Sequence, residues 1–361
     1  MSITLFHTLV RTSLATTDLT SPAIARQRLL SATELEWKRT LVDLNLHRLI
    51  PLVWYSLSTH GLTDTVPQPY LAEMQDAYRE TLRTNTFFLL TLDCLLRTMG
   101  ERGVHPVVWK GVVLADSFYP DPGTRLMGDI DFAIAPNEMP SATAVFKSLK
   151  FLPQEHMETC DAIYFANQMG LLCDVHHRVR LFEGKESMNL TVDLKPSRMR
   201  VPAVRVLEPN AMLVHLIVHM DGHRSEIGPL LSWIIDLVFV FRKWGTLLEL
   251  KTIKKLMPQE HFIYLFRTIR FLEHEFDERL PECLSIAAKS FEPFTLREVL
   301  RERRLALWGL PRTRGWLRLG ACRLGLRPTK GRAYPTVSDL FLWPKDAVRN
   351  RRMANQSIPR M

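Results

Sequence analysis

The chain has 361 residues, 46% hydrophobic and 24% charged, a composition that excludes a disordered chain and a length that exceeds one ordinary core. Its five cysteines, Cys94, Cys160, Cys173, Cys283 and Cys322, are scattered without a CxxC spacing, which argues against a disulfide framework or a structural zinc site and for a reducing compartment. The net charge of +9 is uneven: from Arg301 onward 15 Lys/Arg face only Glu302, Asp339 and Asp346, so the basicity belongs to a tail. Such a tail suits RNA, DNA or anionic lipid, or else is a solvated helical surface.

The N-terminal run MSITLFHTLVRTSLATTD lacks a basic segment ahead of its apolar residues and is a poor signal peptide. No window reaches the roughly 18 continuous apolar residues of a membrane span. The expected location is the cytoplasm.

Residues 1–100 read as an N-terminal helical region. TELEWKRTLVDLNLHRLIPLVWYSLSTHG keeps apolar residues at helical spacing, and the segment after Pro69 places Leu71, Met74, Tyr78 and Leu82 on one face before Gly100 and Gly103. At Val104 the texture changes. VHPVVWK suits a strand, GVVLADSFY a helix, and YPDPGTR a breaker run; GDIDFAIAP is a strand, EMPSATAVFKSLK an amphipathic helix, and AIYFANQ and GLLCDVHHRV two further strands. The series implies a small mixed sheet with helices on one side, over 101–205. Helices resume after Pro209, with Asn210 as an N-cap, and form a C-terminal helical domain over 206–305. A basic tail, 306–361, follows. The fold class expected is α+β, a small mixed-sheet core between two helical regions.

The chemistry gathers in the central part. Asp129 and Asp131 alternate with Ile130 and Phe132 in an apolar strand, and residues two apart in a strand share a face. Same-side carboxylates repel, so such a pair is partly protonated or bridged by cations; oxygen ligands after a glycine suit hard divalent ions. Asp174, in the strand GLLCDVHHRV, can point at the same site if the two strands are neighbours, and His176 shares its face. Three carboxylates around divalent metal suit in-line phosphoryl or nucleotidyl transfer, with Asp174 also able to take the acceptor's proton. Lys110-Gly111 stands at a strand-to-helix junction, where backbone N–H groups and the helix dipole favour phosphate. Arg125, four residues before Asp129, is a second cation within reach of a triphosphate. Either cation could instead be a surface charge, and His176 a structural histidine.

Other signals carry less. His215, His219 and His223 share a helix stripe without the cysteine partners or HExxH glutamate of a zinc site, which favours packing against the central domain. Asp236, a polar break in WIIDLVFVF, calls for a buried histidine or arginine partner. GLRPTKGR lacks the strand and GK[ST] of a P-loop. Trp308 and Trp316 among arginines are compatible with a membrane-surface helix.

Taken as a set, Lys110-Gly111, Tyr119-Pro120, the run from Arg125 through Gly128 to Asp131, and Asp174-Val175-His176 resemble the DNA polymerase β-like nucleotidyltransferase superfamily, and within it a bacterial family of uncharacterised nucleotidyltransferases. The similarity covers about residues 30–300 and is most specific between 105 and 240. It implies transfer of NMP from an NTP to a hydroxyl acceptor, with pyrophosphate leaving. Mg²⁺ or Mn²⁺ would be held by the catalytic Asp129, Asp131 and Asp174, and the nucleotide bound by Lys110, Gly111, Arg125, Gly128 and His176. The implied substrate is an NTP such as ATP; the acceptor is an RNA or tRNA end, a peptide or protein, or a small molecule. One departure stands out. The superfamily's Gly-Ser lies about ten residues before its D-x-D, whereas here Val112 follows Gly111 and Asp129 is 18 residues on. That departure motivates the alternative of a catalytically inactive binding protein on the same fold.

Overall fold

In the computed structural model, which describes residues 4–15, 22–154, 161–177 and 190–308, the N-terminal helices come first. They are α1 (Leu5–Leu14), α2 (Pro22–Leu30), α3 (Glu34–Leu46), α4 (Ile50–Thr59) and α5 (Gln68–Gly100). A capping box starts α3: the Thr33 hydroxyl accepts from the Glu36 N–H and the Glu36 carboxylate accepts from the Thr33 N–H, satisfying two otherwise open donors. Pro69 sits in the first turn of α5, where its missing N–H costs nothing.

At 33 residues, α5 is about 50 Å long and organises the domain. Its buried stripe runs Met74, Ala77, Thr81, Asn85, Phe88, Leu92, Leu95 and Met99, the three- and four-residue spacing of one helix face. Asn85 is one of two polar members of that stripe, with Thr81. Its amide donates to the carbonyls of Pro122 (2.5 Å) and Arg125 (2.6 Å), and Tyr78 donates its hydroxyl to Asp121 at 2.8 Å. The breaker run before the central strand is therefore clamped by a helix from the N-terminal region.

The sheet contains β1 (Val107–Trp109), β2 (Ile130–Ala133), β3 (Leu152–Pro153), β4 (Ala162–Ala166) and β5 (Leu172–His176), in the order β1-β2-β5-β4-β3. Only β2 and β5 are parallel; the other pairs are antiparallel. Between β1 and β2 lies α6 (Gly111–Ser117), and α7 (Met139–Ser148) follows β2. One face of the sheet is apolar: Phe132 and Phe165 pack on Phe146 of α7, with ring centroids 5.9 and 4.4 Å away. A two-stranded ribbon, β6 (Thr191–Leu194) with β7 (Val204–Leu207), was not foreseen from sequence, nor was the two-residue edge strand β3.

The C-terminal helices are α8 (Pro209–Ile227), α9 (Leu231–Trp244), α10 (Leu250–Leu256), α11 (Phe262–Phe276), α12 (Glu282–Ala288) and α13 (Leu296–Trp308). Asn210 is helical in the first turn; the N-cap is Glu208, whose carboxylate accepts from the N–H groups of Asn210 and Ala211. Arg303 and Arg304 of α13 tie the ends of the domain together, donating to the Leu46 carbonyl and to Asp43 of α3. Buried side chains from both helical regions and the sheet belong to one continuous core. No helix among the described residues is long and apolar enough to cross a membrane. Cys94, Cys173 and Cys283 are free thiols. The basic tail from 309, with Trp316 and GLRPTKGR, lies outside the described residues.

Candidate active site

Strand pairing builds the site. Asp131 is in register with Asp174 across the parallel β2–β5 pair, Trp109 with Asp131 across β1–β2, and Tyr164 with Asp174 across β4–β5. Register partners project from the same face, so Trp109, Asp131, Asp174 and Tyr164 form one row across four strands. The opposite face is the phenylalanine layer against α7. The sheet thus separates an apolar core face from a face centred on two adjacent carboxylates.

Both carboxylates are buried, Asp131 at 3% and Asp174 at 7% exposure, while Asp129, just before β2, is half-buried. Burial is the largest influence on Asp129, followed by the charge of Asp131, and together they push its pKa up to about 7. Burial likewise raises Asp131, with Asp174 adding to the effect and Lys110 opposing it. The Lys110 ammonium lies 2.6 Å from Asp131 Oδ1. Its burial acts to lower its pKa, but the Asp131 carboxylate, with Asp174 and Asp129 adding to it, outweighs that and holds it above the ordinary lysine value. Lys110 itself has a positive φ of 52° at the junction between β1 and α6, an uncommon backbone state for a side chain of this size.

His176 Nε2 is 3.2 Å from Asp174 Oδ2. Donor atoms of Asp131, Asp174 and His176 lie within 4.8 Å of one another, the arrangement needed to hold a metal ion, and Asp129 stands outside that group. Asp174 Oδ1 is buried without a hydrogen-bond partner. Orphaned acceptors in a buried acidic cluster are costly, and a hard divalent cation would satisfy them. The donor set fits such an ion.

The other sequence candidates take different places. Arg125 turns to α9, where Nε and Nη2 donate to Asp236 at 2.8 and 2.7 Å. Asp236 thus has the buried arginine partner its sequence context required, and Tyr119 also donates to it, at 2.7 Å. Gly111 is needed because of Arg125: a Cβ there would meet Nη1 at 2.9 Å. Gly128 is exposed and a Cβ on it would meet nothing. On α8, His215 stacks on Trp109 with centroids 5.0 Å apart, the packing against the sheet domain expected from its spacing. His219 follows at 6.2 Å and contacts Trp233 at 4.8 Å. Burial, then Lys110, pushes the His219 pKa down to about 2.

A family model described as uncharacterised nucleotidyltransferase matches residues 33–262, well over half of the chain. The chain belongs to that family. This nucleotidyltransferase family member is also similar to two solved structures. One is a solution structure of the antibiotic-resistance factor ANT(2'')-Ia, 14% identical, covering 54% of this chain and 100% of that one, with a TM-score of 0.38. The other is a crystal structure of an antigenic nucleotidyltransferase-like protein from Paracoccidioides brasiliensis, 13% identical, covering 56% and 94%, with a TM-score of 0.34. No curated protein matches the sequence.

One residue near the site had no functional signal in the sequence. Arg48, in the link between α3 and α4, lines a cavity together with Arg125 and Trp233. A lone arginine at the end of an N-terminal helix gives no hint of where the chain later brings the strands of the carboxylate cluster.

Proposed function

We propose that this nucleotidyltransferase catalyses the attack of an acceptor hydroxyl on the α-phosphorus of an NTP. The observation that carries this is the in-register pairing of Asp131 with Asp174, with Asp129 beside them. Asp129, Asp131 and Asp174, with His176, would hold Mg²⁺ or Mn²⁺, which when bound neutralises charge on the phosphates and acidifies the acceptor hydroxyl. Asp174 Oδ1, buried and unpartnered, is the atom that accepts the acceptor's proton. The acceptor oxygen bonds to the α-phosphorus, the bond from that phosphorus to the β-phosphate bridging oxygen breaks, and pyrophosphate leaves with the electron pair. Lys110 holds Asp131 in place and supplies positive charge beside the reacting phosphate.

The hydroxyl acceptor belongs to one of three classes, an RNA end, a peptide or protein, or a small molecule, and the basic tail favours RNA. An RNA acceptor requires binding that weakens steeply with salt, because phosphate contacts release counterions; truncation at about residue 308 then removes it. Salt-insensitive binding points to the other two classes. The cytoplasm is the compartment where NTP and RNA are both at hand.

The deciding experiment is incorporation of α-³²P-labelled ATP, CTP, GTP or UTP into RNA, protein and small-molecule fractions of a cell extract. Incorporation should require Mg²⁺ or Mn²⁺ and disappear in Asp131→Ala. An absence of label with every NTP and fraction would instead support the non-catalytic alternative that Val112, in place of the superfamily serine, motivates.

A further inference from the structure

Asp131 and Asp174 stand side by side, yet the sheet gives them different neighbours. Asp131 lies between Trp109 and Asp174 in the row and holds the Lys110 ammonium at 2.6 Å. Asp174 lies between Asp131 and Tyr164. Its Oδ2 is 3.2 Å from His176 Nε2, and its Oδ1 is buried without a hydrogen-bond partner.

The pairing of β4 with β5 sets how close Tyr164 comes. The His177 N–H donates to the Asp161 carbonyl at 3.1 Å, and the Asn167 N–H to the Leu171 carbonyl at 3.2 Å. Both bonds join residues opposite one another on the continuation of the β4–β5 register. Hydrogen-bonded and non-hydrogen-bonded pairs alternate along an antiparallel ladder, so Tyr164 and Asp174 form a non-hydrogen-bonded pair. In such pairs the Cα atoms are only about 4.5 Å apart and the side chains are closest. The other residues of β4 on this face are Ala162 and Ala166, so the phenol is the only polar side chain that the strand turns to the carboxylates. Burial, then the charge of Asp174 and a hydrogen bond to it, push the Tyr164 pKa up to about 12. A phenol is protonated at neutral pH and has one hydrogen to donate.

The two carboxylates therefore face donors of different charge. An ammonium neutralises the carboxylate it holds. A phenol fixes a carboxylate and leaves its negative charge to other groups. Of the pair, Asp174 keeps its charge for a cation or an incoming proton.

We infer that Tyr164 is a positioning residue for Asp174: its hydroxyl donates to the carboxylate and fixes the orientation in which Asp174 meets a divalent cation and the acceptor hydroxyl. The inference deepens the proposed transfer reaction and rests on its reading of the carboxylates as a metal site. It gives β4, a strand without an acidic or basic side chain, a part in that site.

Tyr164→Phe removes the hydroxyl and keeps the ring. Calorimetric titration of the full chain with Mn²⁺ alone should show an affinity about 10–100-fold weaker in this variant, the usual cost of removing a group that orients a metal ligand. In the labelled-NTP assay at saturating Mn²⁺ its rate should fall on the same scale, with the KM for the NTP unchanged. In an Asp174→Ala background the same change should leave the urea midpoint where Asp174→Ala alone puts it, because the hydroxyl then has no carboxylate to hold. A Mn²⁺ affinity equal to that of the unaltered protein overturns the inference, even if Tyr164→Phe lowers the melting temperature. A drop in urea midpoint as large in the Asp174→Ala background as in the unaltered protein also overturns it. If the unaltered protein labels no acceptor while Tyr164→Phe weakens Mn²⁺, the transfer reading fails and the positioning of Asp174 stands. If the unaltered protein transfers label and Tyr164→Phe matches it in Mn²⁺ affinity and rate, the positioning fails and the transfer reading stands. Absence of Mn²⁺ binding by the unaltered protein overturns both.

Discussion

Arg125 forks onto Asp236, 111 residues further along the chain, through two hydrogen bonds of 2.8 and 2.7 Å. This pair joins the loop before β2 to helix α9, and Tyr119 donates to the same carboxylate. Both partners are buried, at 9% exposure for Arg125 and 1% for Asp236, so removing one leaves the other's charge without compensation. Asp236→Ala should therefore destabilise the protein by about 3–5 kcal/mol, read as a lower urea midpoint. A loss under about 1 kcal/mol would show that the loop is held by α5 alone.

Asp131 and Asp174 should separate in a stability assay though both abolish transfer. Asp174→Asn removes a like charge from a buried cluster and leaves Lys110 paired, so its melting temperature should equal or exceed that of the unaltered protein. Asp131→Asn strands the Lys110 ammonium, which is 2.6 Å from the lost charge, and should lower it. Labelled-NTP transfer should fall at least about 100-fold in each. Equal melting shifts in the two variants would contradict the assigned pairing.

Gly111→Ala tests the packing of α6 against Arg125. The added methyl would lie 2.9 Å from Nη1, so the guanidinium must shift and loosen its fork on Asp236. The expected cost is about 1–3 kcal/mol. Gly128→Ala, with nothing near the new Cβ, serves as the control and should cost far less.

The protein should lose stability in acid partly through His47. Its Nδ1 accepts a hydrogen bond from the Leu231 N–H at 3.1 Å, which requires a neutral ring. Burial, with Arg303 and Arg304, holds its pKa well below the usual 6.5. In the unfolded chain the ring protonates first, so its contribution is intact above about pH 6.5 and is lost as pH falls, at up to about 1.4 kcal/mol per unit. His215 and His219 are also depressed and add to the slope. His47→Asn, which keeps an acceptor that does not titrate, should flatten the stability–pH curve between pH 6.5 and 5 by about one proton's worth. An unchanged slope would exclude His47 as a contributor.

Much of the central domain was legible because its signals are local. The switch from helical spacing to VHPVVWK, the breaker run and the alternation of GDIDFAIAP predicted β1, α6, β2 and α7 near their observed places. Two elements were missed: the two-residue edge strand at Leu152–Pro153 is too short to carry a period, and the β6–β7 ribbon joins two four-residue strands, of which β6 buries neither Val192 nor Asp193. The carboxylates were visible because charge in an apolar strand conflicts with burial unless something compensates it.

The sequence by itself determined which chemistry is present: three aspartates, a histidine and a set of cations, in a motif order that identifies the family. Only the tertiary structure decided how the cations are shared, because ion pairing depends on distances between residues far apart in the chain. Lys110 went to Asp131 and Arg125 to Asp236, both out of the freely facing roles their positions suggested. Arg48, set at the end of an N-terminal helix with no motif around it, shares a cavity wall with Arg125 only because α3, α4 and the breaker run pack together. A residue's type and spacing fix what it can do; the packing of distant elements fixes to which charge it does it.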